Sequence, residues 1–437
     1  MEYFNEEQGD GFFTGSPSNP NKIYEIRSEK LRSLEPHIFS VAEAAYSTLL
    51  LTGDNQTCVM MGESGSGKTE SARCIVQYLC STNYADSTWI DQQILEADTI
   101  LEAFGNAKSS TNANSSRFGK FMQISFDHNH HINGCVVHDY LLEQSRVAFQ
   151  STEEFNFHVF YYLIAGAQYC GEISSQFMVG TTDMYHYLDN VNSSISTADL
   201  EIYSYVKKFD DLRLALNMLS VPQRMSDGLF STLSAILWIG NLCFAESADG
   251  TKCTLNHKDK KVLNRICKLL GLPMLSLEHA LTHHHVIIGK KEVDVGFKLH
   301  EARENRHCIA KVLYMRVFAW LVEHINVYTN PDNDVEQFIG LLDLGGFEEM
   351  WVNGFEQFCF NLANERLHQY FNDVVFVLEQ AEYRNEELDF SFVDFCSNSS
   401  TVELLERPDL SILSILDEET KSSLVSMDYD LLGFCKQ

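Results

Sequence analysis

The eight residues Gly62-Glu63-Ser64-Gly65-Ser66-Gly67-Lys68-Thr69 constrain this chain more than any other feature. They satisfy the pattern G-x-x-x-x-G-K-[ST], which requires a strand directly before it and a helix directly after it. Both are legible. Thr57-Cys58-Val59-Met60-Met61 is a short apolar run that Gly62 breaks, and beyond Gly67 the residues Ala72, Ile75, Val76 and Leu79 share one helical face. Glycines in such a loop let backbone N–H groups turn inward toward phosphate oxygens, and the helix that follows points its positive end at the same oxygens. Lys68 then reaches the β- and γ-phosphates, and Thr69 offers its hydroxyl to Mg2+.

Two more segments have the composition to work with such a loop. Asn112-Ala113-Asn114-Ser115-Ser116-Arg117-Phe118-Gly119-Lys120 gathers amides, hydroxyls and one arginine just before a strand-like run; by itself it reads equally as an ordinary polar loop. Asp343-Leu344-Gly345-Gly346-Phe347-Glu348 follows the apolar run Gln337–Leu342. An aspartate at the end of a buried strand in a phosphate-loop protein holds the metal or its water. Gly346 offers a bare N–H toward the γ-phosphate. A strand-terminal aspartate with a glycine turn is common, so the specificity lies in the three loops together and in their order.

Around these loops the chain alternates strand-like and helical stretches. Leu31, Leu34, Ile38, Val41, Ala45 and Leu49 predict a helix within 28–52, and Ile94, Ala97, Ile100, Leu101 and Phe104 another that stops at Gly105. Lys120–Phe126 and Cys135–Leu141 predict a hairpin turning at His131-Ile132-Asn133-Gly134. Residues 155–330 read as mostly helical. Phe355, Phe358, Cys359, Leu362, Tyr370, Val374 and Leu378 mark a long amphipathic helix, with Asn353 and Glu356 as its expected capping pair. The fold class is α/β, with a central, mostly parallel twisted sheet flanked by many helices.

These segments resemble the myosin motor family. Gly62–Thr69 is similar to its phosphate loop, with Ser66 where alanine is usual. Asn114–Lys120 resembles switch I, Asp343–Glu348 switch II, and Phe355-Glu356-Gln357, Asn364-Glu365 and Phe376–Gln380 the relay helix. Ile100–Ala107, Tyr140–Val147 and Leu413–Glu419 match further stretches, so the likeness runs from about 19 to 420. Kinesin-like motors share the three-loop logic but carry serine where Phe347 stands. The resemblance implies a P-loop NTPase fold of the myosin motor type that takes ATP and Mg2+. It implies that Thr69 and Ser116 ligate the metal with Asp343 behind them, and that Lys68, Asn112, Ser115 and the Gly346 N–H hold the γ-phosphate. Arg117 and Glu348 would pair across the two switches, and Glu348 would orient the attacking water. Asn19-Pro20 and Tyr24 resemble the adenine-side motif at a shorter spacing than usual.

The implied organisation is a loose segment at 1–18, a nucleotide-binding core at 19–348, and the relay helix with the start of the lower cleft region at 349–437. The implied activity is ATP hydrolysis coupled to actin filaments; a non-motile nucleotide-binding or actin-scaffold remnant is the alternative, since no converter or lever is read in this chain. Light chains are expected only if a lever lies beyond it. The formal net charge of −29, from 61 acidic and 32 basic residues, argues against nucleic acid and anionic membranes as partners. No run of about 18 apolar residues occurs, so no membrane span is expected. Twelve cysteines without a C-x-x-C pair, and an acidic N-terminus, point to a cytoplasmic chain, and the resemblance implies association with the cytoskeleton. His283-His284-His285 reads as a solvated loop, and the actin-loop position implied by the family falls on Lys291 or Glu292.

Overall fold

A computed structural model describes residues 37–82, 89–188, 199–247, 252–288, 291–330, 337–349 and 353–421. The apolar runs become four strands: β1 (Gln56–Met60), β2 (Gly119–Phe126), β3 (Ile132–Tyr140) and β4 (Gln337–Asp343). They form one sheet in the order β1-β4-β2-β3. β1 and β4 run parallel, while β4 pairs with β2 and β2 with β3 in antiparallel fashion. The expected mostly parallel sheet is therefore corrected to a mixed one among the described residues. The physical reason is local, because a short hairpin can join β2 to β3 only in antiparallel sense.

That hairpin turns earlier than the glycine at 134 suggests. Asp127 Oδ1 accepts from the N–H groups of Asn129 (2.9 Å) and His131 (2.8 Å), and His130 takes the left-handed conformation at φ 62°. A short carboxylate that closes its own turn fixes the corner at Asp127–His131. Gly134 then sits inside the ladder opposite Ser125.

The register has a consequence for function. Met60 pairs with Asp343, and Asp343 pairs with Lys120. The C-terminal ends of β1 and β4 and the N-terminal end of β2 thus share one edge of the sheet. The loops at those ends are adjacent in space although they follow Met60, precede Gly119 and follow Asp343 in the sequence.

Helices cover the sheet. Helices α1 (Ile38–Thr52) and α2 (Lys68–Thr82) pack on β1 and β4, while α3 (Trp89–Gly105) packs on β3. Of the expected face of α1, Leu49 is buried and Ile38 and Ala45 pack on the core, Val41 departs from it, and Leu31 and Leu34 lie outside the described residues. Val41 points outward at 48% exposure and Ala42 is buried, because Glu43 also turns inward, where Ser47 (2.8 Å) and Tyr78 (2.7 Å) donate to its carboxylate. Residues 155–330 are mainly helical as expected, including α4 (His158–Tyr169), α5 (Asp199–Met218), α6 (Gln223–Gly240) and the 31-residue α7 (Leu299–Thr329). His283 to His285 lie in a hairpin strand, His283–Ile288, rather than in a loop, and the His283 ring stacks on His279 at 4.7 Å. The side chains of Lys291 and Glu292 lie outside the described residues.

The helix α8 (Phe355–Asn372) continues through a π-turn at Asp373–Leu378 to Asn385, so the long helix read from the sequence is present. Its cap differs. Gly354 is the N-cap, and its N–H donates to Gln357 Oε1 at 2.9 Å, in place of the Asn353–Glu356 pair. Glu356 instead accepts from the Ser145 N–H at 3.1 Å. No helix among the described residues is long and apolar enough to cross a membrane.

Aromatic packing joins the helices beneath the site. Tyr314 of α7 stacks on Phe157 at 4.7 Å, meets Phe160 at 5.4 Å, and donates its hydroxyl to the Phe104 carbonyl at 2.6 Å. Phe160 is fully buried, whereas Tyr169 on the same helix is 77% exposed. Phe160→Ala is expected to cost about 3–5 kcal/mol in urea unfolding, and Tyr169→Ala to stay within about 0.5 kcal/mol of the parent.

Candidate functional site

Between β1 and α2 the chain must reverse tightly while presenting N–H groups inward. Gly65 and Gly67 allow it, with φ of 81° and 88°, values that side chains rarely adopt. Lys68 starts α2 and folds back over the loop, donating from Nζ to the carbonyls of Gly62 (2.9 Å) and Glu63 (2.6 Å). Burial lowers its pKa, against the pull of Asp343 and Glu348. A polyanion entering here would meet an ammonium, a fan of N–H groups and a helix N-terminus together.

The three predicted loops converge. Ser64, Gly65, Gly67, Lys68 and Thr69 from the first, Asn112, Ser115 and Ser116 from the second, and Gly346 from the third line a single pocket of about 170 Å³. Ser64 Oγ lies 3.5 Å from Ser115 Oγ, and Thr69 Oγ1 lies 3.1 Å from Ser116 Oγ. The Ser64 N–H donates to the Phe347 carbonyl at 3.3 Å, and Glu63 bridges Phe347 in parallel sense. Ser66 is not among the lining residues; its Oγ lies close to Gly62, where an added Cβ would come within 2.8 Å of it. Gly346 is packed so closely on the first loop that an added Cβ would lie 2.5 Å from the Ser64 nitrogen and from Lys68 Nζ. No larger residue fits there without moving the two loops apart.

Behind the pocket, Arg117 is 1% exposed and spans two carboxylates. Nη1 donates to Glu348 Oε1 at 2.6 Å and Nη2 to Glu348 Oε2 at 3.0 Å. The opposite edge of the guanidinium reaches Glu143, with Nε to Oε2 at 2.7 Å and Nη2 to Oε1 at 3.2 Å. Nη1 also donates to Ser115 Oγ at 3.0 Å, and that hydroxyl lies 3.4 Å from Glu348 Oε1. Glu143 in turn accepts from Arg146 Nε at 2.6 Å, and Arg146 reaches Glu154 at 3.0 Å. Burial alone would raise the Glu143 pKa, but Arg117 and Arg146 outweigh it and bring it down to about 2.

Asp343 ends β4 at 2% exposure, and its Oδ1 has no hydrogen-bond partner among the described residues. Burial pushes its pKa up, while Lys120 and the Thr69 hydroxyl act in the other direction. On the second loop, Asn114 accepts from Asn106 (3.1 Å), lies 3.1 Å from His158 Nε2, and donates to Glu102 at 2.8 Å. Burial lowers the His158 pKa to about 4, which favours the neutral ring near pH 7.

Several residues that hold the site were given no role in it from the sequence. Glu143 is one. Others lie on α8: Asn361 pairs with both the N–H (2.9 Å) and the C=O (2.8 Å) of Glu348, Asn364 donates to the Gly345 carbonyl at 2.8 Å, and Gln357 donates to Glu143 at 2.7 Å. The available signal was amides at 357, 361 and 364, one helical face of an otherwise amphipathic helix. Tyr24, with Asn19 and Pro20, lies outside the described residues.

A family profile described as Myosin head (motor domain) matches residues 17–430. The chain is 41% identical over 401 residues to a myosin-I heavy chain of Dictyostelium discoideum, covering 92% of this chain and 17% of that protein. It is 37% identical over 400 residues to unconventional myosin-Vb of Homo sapiens, covering 91% and 21%. Against a non-muscle myosin-2 heavy chain of Acanthamoeba castellanii it is 37% identical over 420 residues, covering 96% and 27%. The chain thus spans less than a third of the length of each of these relatives.

The Glu143 network has a pH signature. A carboxylate whose pKa is depressed on folding stabilises the fold above its ordinary value of 4.5, and that stability is lost as pH falls toward 2. Glu143→Gln is expected to destabilise the chain by about 3–5 kcal/mol at neutral pH, because two guanidiniums lose their shared counter-charge. The variant should also show a flatter stability profile between pH 4.5 and 2 in denaturant titrations.

Proposed function

The chain belongs to the myosin head (motor domain) family, and from that membership we propose that it binds MgATP in the three-loop pocket and hydrolyses it to ADP and phosphate. The observation that carries the reading is the bidentate Arg117–Glu348 pair, which joins the second and third loops and includes Ser115. Phosphoryl transfer to water asks for positioning and charge stabilisation more than for covalent help.

Each residue then has a role that its surroundings support. Lys68 exchanges its two carbonyl contacts for phosphate oxygens, joined by Asn112, N–H groups of the first loop and the Gly346 N–H. Ser115, between Ser64, Arg117 and Glu348, is placed to pass a proton from the attacking water. Glu348 orients that water, and Arg117 keeps the Glu348 carboxylate aimed. Tyr24 remains the proposed adenine-side contact. Thr69, Ser116 and Asp343 fit Mg2+, since all offer the oxygen donors a hard cation requires and Asp343 Oδ1 is buried without a partner among the described residues. When bound, the metal would offset charge on the β- and γ-phosphate oxygens.

Coupling follows from the anchoring of α8. Its Asn361 and Asn364 grip the backbone of Glu348 and Gly345, so a shift of that segment pulls a long helix with it. We take 19–348 as the nucleotide core and 349–437 as the relay and the start of the lower cleft, with actin filaments as the partner and the cytoskeleton as the location.

Steady-state ATP turnover with and without actin filaments tests the reading; acceleration by actin is expected, and absence of turnover in both conditions would contradict it. Arg117→Ala is expected to bind ATP within about tenfold of the parent yet slow single-turnover hydrolysis by about 10²–10³. Near-normal hydrolysis in that variant would refute the role given to the pair.

A further inference from the structure

Asp343 and Lys120 are opposite each other on antiparallel strands, so their side chains leave the same face of the sheet as near neighbours. Both are buried. The ammonium nevertheless pairs with a different acid. It donates to Asp98 Oδ1 on α3, while Asp343 Oδ1 stays unpartnered among the described residues. Asp98, Lys120 and Asp343 border one small gap with Thr69 and Ser116. The Lys120 pKa shows the balance: burial works against the charge, but Asp98 and then Asp343 outweigh it and hold the value above that of an ordinary lysine.

A buried carboxylate beside a buried ammonium would ordinarily close the ion pair, since an uncompensated charge in the interior is costly. Here that would fill Asp343 with a cation from the protein itself. Asp98 prevents it by offering Lys120 a better-placed acceptor. We propose that Asp98 is a positioning residue of the metal site: by engaging the Lys120 ammonium, it keeps Asp343 open toward Thr69 and Ser116, where a divalent cation is held. Lys120 is the competitor that Asp98 restrains. The inference rests on the MgATP reading above and adds Asp98, a residue of α3 that the three loops do not contain.

The test uses the full chain and a fluorescent ADP, reading the Mg2+ concentration at which nucleotide release is half-maximally slowed. In Asp98→Asn the ammonium is released toward Asp343, and this midpoint is expected to rise about tenfold or more, while affinity in EDTA stays within about threefold of the parent. Adding Lys120→Met removes the competitor and should return the midpoint to within about threefold of the parent, a rescue that a merely structural ion pair would not give. An unchanged midpoint in Asp98→Asn, or a double variant as shifted as the single one, would overturn the proposal. Should Asp98→Asn fail to fold, Asp98→Ser takes its place, read against Asp98→Ser with Lys120→Met by the same two outcomes. A parent chain that binds no nucleotide with or without Mg2+ fails the MgATP reading itself, a result distinct from these.

Discussion

The Arg117 guanidinium, buried between Glu143 and Glu348, is the interaction on which the rest of the site depends. A buried cation is tolerated only when its donors are satisfied and its charge is matched. Nε, Nη1 and Nη2 all find carboxylate oxygens, and Nη1 also reaches Ser115. The two acids come from different parts of the chain. One follows β3, and the other follows β4 more than two hundred residues later. Satisfying one side chain therefore fixes three backbone segments at once, and the third loop can stand where it does only while Glu348 is held.

The sheet register supplies the frame for that network. Because β1 and β4 end where β2 begins, the three loops emerge at one edge without any long excursion. Gly346 then lets the third loop lie against the first with no side chain between them. The amides of α8 complete the arrangement from behind by occupying backbone groups of Gly345 and Glu348. The amides that hold the backbone of Gly345 and Glu348 thus also fasten the long helix to the third loop.

Much of this was legible in the residues alone, for definite reasons. The phosphate loop is a local pattern in which glycines, lysine and threonine each have a physical duty, so its strand, turn and helix could be read directly. Asp343 at the end of an apolar run, and the polar residues before β2, were legible as companions to it. Sheet direction was not, because an apolar run carries no sign of which neighbour it will join; β2 entered beside β4 and made the sheet mixed. The Asp127 turn was missed because Gly134 is the stronger local signal, yet a carboxylate closing its own loop prevailed. Glu143 escaped notice because its importance lies wholly in contacts across long sequence distances. The same is true of Asn361 and Asn364, whose amides look like solvated helix positions until the third loop is laid against them. Gly354 displaced Asn353 as the cap for a similar reason: Glu356 was already engaged by the Ser145 N–H.

The central claim is that three distant segments answer to one ligand. Hydrogen exchange on the full chain, with and without Mg2+ and a non-hydrolysable ATP analogue, examines it directly. The account predicts that residues 62–69, 112–120 and 343–348 gain protection together and over the same range of analogue concentration. Protection confined to 62–69, with the other two segments unchanged, would contradict it.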